Sequence, residues 1–388
     1  MKVLFVTLCA LETNTSVTKS NIGLLEGLKD NNCDVTIVMP EIDSGLFYYD
    51  NAFDLSPFKV VRIKGGGLGS KAASMNQSTS VIKKALLNLA RNIYRRVSIF
   101  DRTKEFLGNA KDVPVFEEYY DVVISTSDPK TSHLFVKKLI EEGLKYGKWV
   151  QHWGDPLSGD ITSSLIFPQS YIRKVEKNMI SKADKIVYVS PFTAEMQKNN
   201  YPKFKEKIHF VPLACDKTYE ENAQILNNAK PIEAVYLGDY SSRVRNIIPL
   251  YEAVKNLPTI HLTIAGGTDL SLESSDNITI LPRVNHEKVK ELESNASIII
   301  SIGNLHGTQI PGKLYYAAST NKPIVVTVDG DNKDEMIKYL NSFNRFDVCL
   351  NEMSSIENLL DRIAKEPRKE YRTPDRLRPV NVMSEILG

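Results

Sequence analysis

Short β-branched runs alternate with stretches of helical periodicity along nearly the whole chain, and this rhythm constrains the fold more than any other feature of the sequence. Strand-like runs stand at residues 3–8, 35–39, 60–63, 122–125, 149–152, 186–189 and 208–211. Between them, apolar side chains recur every three or four residues at 19–29, 81–106, 132–146, 171–182 and 193–199. Repetition of strand and helix in this manner predicts a parallel sheet covered by helices on both faces.

The rhythm is interrupted by a polar segment between Leu213 and Pro231 and then restarts. Strands are expected at 234–237, 261–265, 278–281, 298–302 and 323–328, with helices at 247–255, 287–295 and 312–319 and two closing helices beyond. A length of 388 residues suits two domains, and a second doubly wound domain is the natural reading. Two such domains enclose a cleft. In open α/β sheets ligands bind beyond the carboxyl ends of the strands, so functional residues are sought just after strands.

Charge and cysteine content narrow the function classes. Forty-nine Lys and Arg against forty-seven Asp and Glu leave +2, too balanced for a nucleic-acid-coating surface. Cys9, Cys33, Cys215 and Cys349 lie far apart without a C-x-x-C pair. That spacing points to neither a zinc module nor a disulfide framework and fits a reducing cytoplasm. The apolar start after Lys2 runs straight into Glu12 with no A-x-A site, so it reads as a buried first strand rather than a signal peptide. No apolar run approaches the ~20 residues needed to span a bilayer.

Several motifs fall away on inspection. Gly65-Gly66-Gly67-Leu68-Gly69-Ser70-Lys71 fits neither phosphate-loop pattern and reads as a flexible loop. Asp329-Gly330-Asp331 follows an apolar strand and has the form of a metal-holding D-x-D, but with Asn332 and Asp334 beside it it reads as a solvated turn, and no metal is expected. His286-Glu287 lacks the second histidine of a zinc helix.

Three segments carry more. His306 to Lys313 (HGTQIPGK) follows a strand, and Pro311 suits the first turn of a helix. Thr308, Gln309 and the turn amides would face the positive end of that helix, and Lys313 would add a full charge. Gly238 to Asn246 also joins a strand to a helix, and its Arg243 and Arg245 offer fork geometry for a diphosphate. His152-Trp153-Gly154-Asp155 puts a histidine and a carboxylate at a strand end, fit for binding hydroxyl-rich substrates or for acid–base work.

The stretch from Val81 to Lys111 holds eight Lys/Arg against two acids. Ile82, Leu86, Leu89, Ile93, Val97 and Phe100 share one helical face, with Lys84, Arg91 and Arg95 opposite. Two readings stay open: a helix packed on the sheet with a solvated basic face, or docking on anionic lipid headgroups.

Together these segments resemble retaining glycosyltransferases of the GT-B fold, especially the bacterial family-four enzymes of surface-polysaccharide assembly. ADKIVYVSPFT (183–193) and IHFVPLACD (208–216) are similar to two of the family's stretches. Residues 236–246 resemble its phosphate loop, with Arg245 and Asn246 matching and Val244 replacing one arginine, and IPGKLYYAASTNKPI (310–324) resembles a fourth. Thr308 and Tyr316 stand where the family has the glutamates of its E-x7-E pattern. A tyrosine offers one hydrogen bond to a ribose rather than a bidentate carboxylate.

The resemblance implies two Rossmann-like parallel-sheet domains facing across a cleft. The first (1–215) would hold the acceptor and the second (216–370) the nucleotide-sugar, with 371–388 returning to the first domain. It implies transfer of a sugar from a nucleotide-sugar, expected to be a UDP-sugar, to a saccharide, expected to be lipid-linked, in O-antigen or capsule synthesis. Arg245 and Lys313 would stabilise the departing diphosphate, with His152 and Asp155 positioning the sugar or the acceptor hydroxyl. Gly238, Arg243, Gly266, Gly267, Arg283, Thr308, Gln309, Ile310 and Tyr316 would form the nucleotide-sugar pocket. No metal and no cofactor are expected, and the expected location is cytoplasmic, with peripheral contact through Val81 to Lys111. The rivals are a sugar-nucleotide epimerase and a catalytically degenerate protein that binds nucleotide or a partner. A plain Rossmann oxidoreductase is disfavoured, because no G-x-G-x-x-G follows any strand.

Overall fold

The computed structural model describes residues 1–45, 49–65, 81–218, 231–366 and 370–388. It divides the chain into two compact units, Met1–Pro212 with Pro379–Gly388, and Leu213–Arg378. In chain order the first unit holds β1 (Lys2–Val6), α1 (Ser16–Asp30), β2 (Asp34–Pro40), β3 (Lys59–Ile63), α2 (Val81–Val97) and a 3-10 segment (Arg102–Asp112). It continues with β4 (Tyr119–Thr126), α3 (Thr131–Glu141), β5 (Lys145–Trp153), α4 (Gln169–Ile180), β6 (Lys185–Tyr188), α5 (Pro191–Asn200) and β7 (Ile208–Phe210).

These strands are parallel and ordered β3-β2-β1-β4-β5-β6-β7. The direction of travel reverses at β1, so β1 and β4 flank the switch point where the following loops diverge and leave room for a ligand. Register pairs Val6 with Ser125 and Ser125 with Gln151. Leu4, Val6, Val123, Trp149, Trp153 and Tyr188 are buried together in one core, as period-2 alternation along neighbouring strands requires. The chain's last helix, α11 (Pro379–Leu387), packs on α1. Gly27 permits that approach: a Cβ there would collide with the Pro379 carbonyl and with Met383.

The second unit repeats the plan with β8 (Ile232–Leu237), α6 (Ile248–Lys255), β9 (Ile260–Ala265), β10 (Ile278–Leu281), α7 (His286–Asn295) and β11 (Ile298–Ile302). There follow α8 (Lys313–Tyr316), β12 (Ile324–Val328), α9 (Lys333–Asn341), β13 (Asp347–Leu350) and α10 (Met353–Lys365). The parallel order is β10-β9-β8-β11-β12-β13, with the switch point between β8 and β11.

Three sequence expectations are corrected. The helix expected over 81–106 ends at Val97, because Ser98 Oγ donates to the Phe100 carbonyl at 2.6 Å and Asp101 caps the 3-10 segment through the Thr103 amide. Of the two readings left open for its apolar face, packing on the sheet is not what Leu89, Ile93 and Val97 do, at 56, 53 and 47 % exposed, whereas Phe100 beyond the helix packs against the core. The helix expected to reach Tyr146 stops at Glu141, with Gly143 at φ +101° closing it. The closing region holds three helices and the short strand β13, whose half-buried edge position leaves little apolar signal. Most of the glycine-rich loop, Gly66 to Lys71, and residues 219–230 of the polar segment lie outside the described residues.

Candidate functional site

The richest constellation of the second unit stands at its switch point. Arg245, in the loop after β8, donates from Nε to Asn304 Oδ1 at 3.0 Å and from Nη1 to the Asp239 carbonyl at 3.2 Å. Asn304, in the loop after β11, turns its Nδ2 to the Gln309 carbonyl at 2.9 Å. The Leu305 amide donates to the Val244 carbonyl at 2.8 Å. One arginine is thus held between the two loops that a switch point exposes. A guanidinium carries five N–H donors in a rigid fork, more than these contacts use.

Next to it, Asp239 accepts from the Gly267 amide at 2.8 Å and pairs with Arg283. Gly266 is required by close approach: a Cβ there would overlap the Gly238 carbonyl. Gly238, Gly266, Gly267 and Arg283 therefore meet around Asp239, a residue that sequence reasoning passed over although it follows Gly238 directly. Asn304 was passed over too, for want of charge or motif. Arg243 is exposed, and beside it the Ser242 amide holds the Asp269 carboxyl below its ordinary range.

The loop 306–312 meets the same edge differently from expectation. The helix after it is a single α turn, Lys313–Tyr316, followed by one 3-10 turn. A helix that short has almost no macrodipole, so attraction of an anion falls to individual amides and to the exposed Lys313. Gln309 and Ile310 are buried and Thr308 is half-buried. Tyr316 is 4 % exposed, with its hydroxyl 3.3 Å from where a Cβ on Gly312 would lie. Asp329 accepts from the Gly330 amide and from Asn351 Nδ2, whereas Asp331 points to solvent with 88 % of its side chain exposed. The two carboxylates do not converge.

In the first unit His152 is the last residue but one of β5 and Asp155 lies in the loop that follows. The His152 ring is 1 % exposed, and neither nitrogen has a hydrogen-bond partner among the described residues. Burial lowers its pKa to about 4, so it is neutral at pH 7 and suits a hydrogen bond better than proton abstraction. The loop beyond is anchored by Glu176, a buried carboxylate on α4. It accepts from the amides of Leu157 (2.7 Å) and Ser158 (3.1 Å), from Gln197 Nε2 (3.0 Å), from the Tyr201 hydroxyl (2.7 Å) and from the Ser158 hydroxyl. Burial pushes its pKa up against these donors.

A cavity of about 840 Å³ opens at this same edge, walled by α2, the loop after β4 and the loop after β5. Arg91, Tyr94, Arg95, Phe100, Lys130 and Asp160 line it. Lys130 reaches Asp128 at 3.0 Å and Asp160 at 3.5 Å. Burial opposes its charge, but the two carboxylates outweigh that and raise its pKa. Arg91 and Arg95 of the basic helix face thus line a cavity, while Leu89, Ile93 and Val97 of the apolar face are exposed.

No family model matches the chain, and no curated protein matches it in sequence. Solved structures do match over its full length. Sucrose-phosphate synthase from Thermosynechococcus elongatus is 14 % identical, with a TM-score of 0.55 over 100 % of this chain and 94 % of that one. HepE of Anabaena, in complex with UDP and glucose, is also 14 % identical, with a TM-score of 0.55 over 100 % of this chain and 98 % of that one. The apo form of WaaB, a lipopolysaccharide outer core galactosyltransferase, is 15 % identical, with a TM-score of 0.50 over 100 % of this chain and 99 % of that one. With its two parallel-sheet α/β units, the chain has the GT-B fold.

Proposed function

We propose that the chain is a retaining glycosyltransferase that moves a sugar from a UDP-sugar, held by the second unit, to a saccharide held by the first. The observation that carries the reading is the Arg245 guanidinium locked by Asn304 and the Asp239 carbonyl at the β8/β11 switch point. A fixed cation there is preorganised for charge that develops on a departing diphosphate, and losing one such donor typically costs ~10²–10³ in rate. Lys313 adds a second cation from the loop after β11. With two cations on the leaving group, the reading needs neither a metal nor a cofactor.

The leaving phosphate oxygen takes the acceptor proton, so no side-chain base is required. His152, neutral and buried, and Asp155 orient hydroxyls. Gly238, Gly266 and Gly267 let the backbone approach the nucleotide, with Arg243, Arg283, Thr308, Gln309, Ile310 and Tyr316 around it. HepE binds UDP and glucose and WaaB is named for lipopolysaccharide. Both support a nucleotide-sugar donor and an acceptor of the surface-polysaccharide kind, here lipid-linked. Among the described residues no helix is long and apolar enough to cross a membrane. Contact with the bilayer is assigned to α2, with Leu89, Ile93 and Val97 exposed beside Arg95 and Arg96.

Calorimetric titration of wild type, Arg245→Ala and Lys313→Ala with UDP, GDP, ADP and CMP tests this. UDP binding that weakens at least tenfold in each variant is expected. Absence of binding to every nucleotide would overturn the reading in favour of a partner-binding protein.

A further inference from the structure

Gly154 to Ser158, in the loop after β5, are held from both ends and stiffened in between. At the near end the Gly154 amide donates to Ser127 Oγ at 3.2 Å, and the Ser127 amide, in the loop after β4, donates to the His152 carbonyl at 2.9 Å. At the far end the amides of Leu157 and Ser158 donate to Glu176 at 2.7 and 3.1 Å. Between these holds stand Asp155, half-buried, and Pro156, buried. The proline ring fixes its own φ near −65° and confines the residue before it to extended conformations. The backbone that carries the Asp155 carboxylate therefore has little torsional freedom.

Glu176 is matched to its partners by charge. Its Oε1 accepts from the Leu157 amide and from Gln197 Nε2 at 3.0 Å. Its Oε2 accepts from the Ser158 amide, the Ser158 hydroxyl and the Tyr201 hydroxyl, the last at 2.7 Å. Each oxygen thus faces one backbone N–H, a group that can only donate. An ionised carboxylate satisfies both, whereas a glutamine would turn its NH₂ on one of them in either flip. Glu176 is fully buried, and a buried charge adds little to stability that apolar side chains of the same volume would not supply. Its carboxylate is accounted for by what it aims, from the rigid base of a helix.

We propose that Glu176 is a positioning residue for the transfer reaction: through the amides of Leu157 and Ser158, with Ser127 at the other end, it fixes the Asp155 carboxylate that orients the saccharide hydroxyl. This rests on the transferase reading for the reaction; the clamp itself does not. Misplacing an aligned group by about 1 Å can cost ~10²-fold in rate. The nucleotide is assigned to the second unit, so the clamp acts on turnover and not on nucleotide affinity.

Glu176→Gln keeps the volume and breaks one backbone hold. Tyr201→Phe is the control, since it takes a hydroxyl from Glu176 and leaves both loop amides in place. Amide exchange read by mass spectrometry needs no substrate. Peptides covering 154–158 should exchange at least tenfold faster in Glu176→Gln and at the wild-type rate in Tyr201→Phe. UDP release is then followed with cellobiose as acceptor and whichever of UDP-glucose, UDP-galactose and UDP-N-acetylglucosamine the wild type consumes. Glu176→Gln should lower kcat about ten- to hundredfold with the donor KM within about twofold of wild type, and Tyr201→Phe should change neither. In an Asp155→Asn background Glu176→Gln should cost no more than about a further twofold, because both changes strike one unit; a role in packing alone would give additive losses. Unchanged exchange, unchanged kcat or additive losses overturn the proposal. If the wild type neither binds UDP nor consumes any donor, the transferase reading fails, and exchange alone decides whether Glu176 fixes the loop. Should Glu176→Gln unfold, Ser127→Ala releases the other end of the clamp and is read by the same measurements, with the same outcomes.

Discussion

Arg245 Nε and Asn304 Oδ1 lie 3.0 Å apart and join the loops after β8 and β11, the two strands between which the second sheet reverses direction. The bond does more than tether loops. Asn304 has a second hand on the Gln309 carbonyl at 2.9 Å, so the cation and the 306–312 loop share one anchor. A guanidinium held in place before a ligand arrives loses little orientational freedom on binding, which is the basis of electrostatic preorganisation.

Asn304→Ala is therefore expected to act through Arg245. The arginine keeps its charge but loses its aim, so UDP affinity should fall about tenfold, against a 10²–10³ loss of turnover for Arg245→Ala. The double variant should lose less than the two single losses combined, because both changes break the Arg245–Asn304 bond, and any excess over Arg245→Ala reports the Gln309 anchor. Rates and calorimetry on the four proteins check this; additive losses would show that Asn304 acts elsewhere.

Gly266 offers a steric test of the same edge. An added methyl would overlap the Gly238 carbonyl, so the loops after β8 and β9 must part. Gly266→Ala should destabilise the second unit by about 1–3 kcal/mol, the usual range for overpacking, and abolish nucleotide binding. Gly108→Ala is the control, since nothing lies within 4 Å of a Cβ there. A melting curve for Gly266→Ala that overlays wild type would contradict the packing argument.

Much of the fold was legible in the sequence because a doubly wound sheet leaves a coarse signal. Runs such as Ile298–Ile302 and Ile278–Leu281 are mostly β-branched and apolar, broken only by Ser301 and Thr279, and the structure places strands at those same bounds. Where burial is partial the signal fades: β13 was missed because all four of its residues are half-buried. Which face of α2 the protein covers stayed open in the sequence for a different reason. Its periodicity is real, but periodicity reports only that two faces differ, not which of them the protein covers. At the candidate site, charged residues after strands stood out, whereas Asn304 and Asp239 gained meaning only once the loops were folded against each other.

His152 predicts a pH effect on stability. Its pKa falls from 6.5 to about 4 on folding, through burial. Between those values the unfolded chain binds more protons, so stability present above pH 6.5 is lost as pH falls toward 4. A shift of that size is on the order of 3 kcal/mol. His133, lowered by burial as well, acts in the same direction, while Glu176, raised by burial, opposes it. Urea midpoints measured from pH 7.5 to 4 should fall less steeply for His152→Gln than for wild type. Parallel slopes would mean that the ring is solvated or paired.

The exposed side of α2 carries the membrane prediction. Leu89 and Ile93 are 56 and 53 % exposed, one turn apart, with Arg95 and Arg96 also exposed. Full burial of such a side chain gives about 1.5–3 kcal/mol. Half of that from each makes roughly 1.5–3 kcal/mol together, a change in partitioning of about 10- to 150-fold. Leu89→Ser/Ile93→Ser should therefore lose binding to phosphatidylglycerol vesicles by that factor. Folding stability should move by no more than ~0.5 kcal/mol, because neither residue supports the core. Wild-type binding should weaken as salt shortens the Debye length from ~10 Å at 0.1 M to ~3 Å at 1 M, and should be weaker still on phosphatidylcholine. Sedimentation with vesicles reads all three. Equal binding to both lipids, or a serine variant that sediments like wild type, would remove α2 from the membrane and leave its apolar stripe for a protein partner.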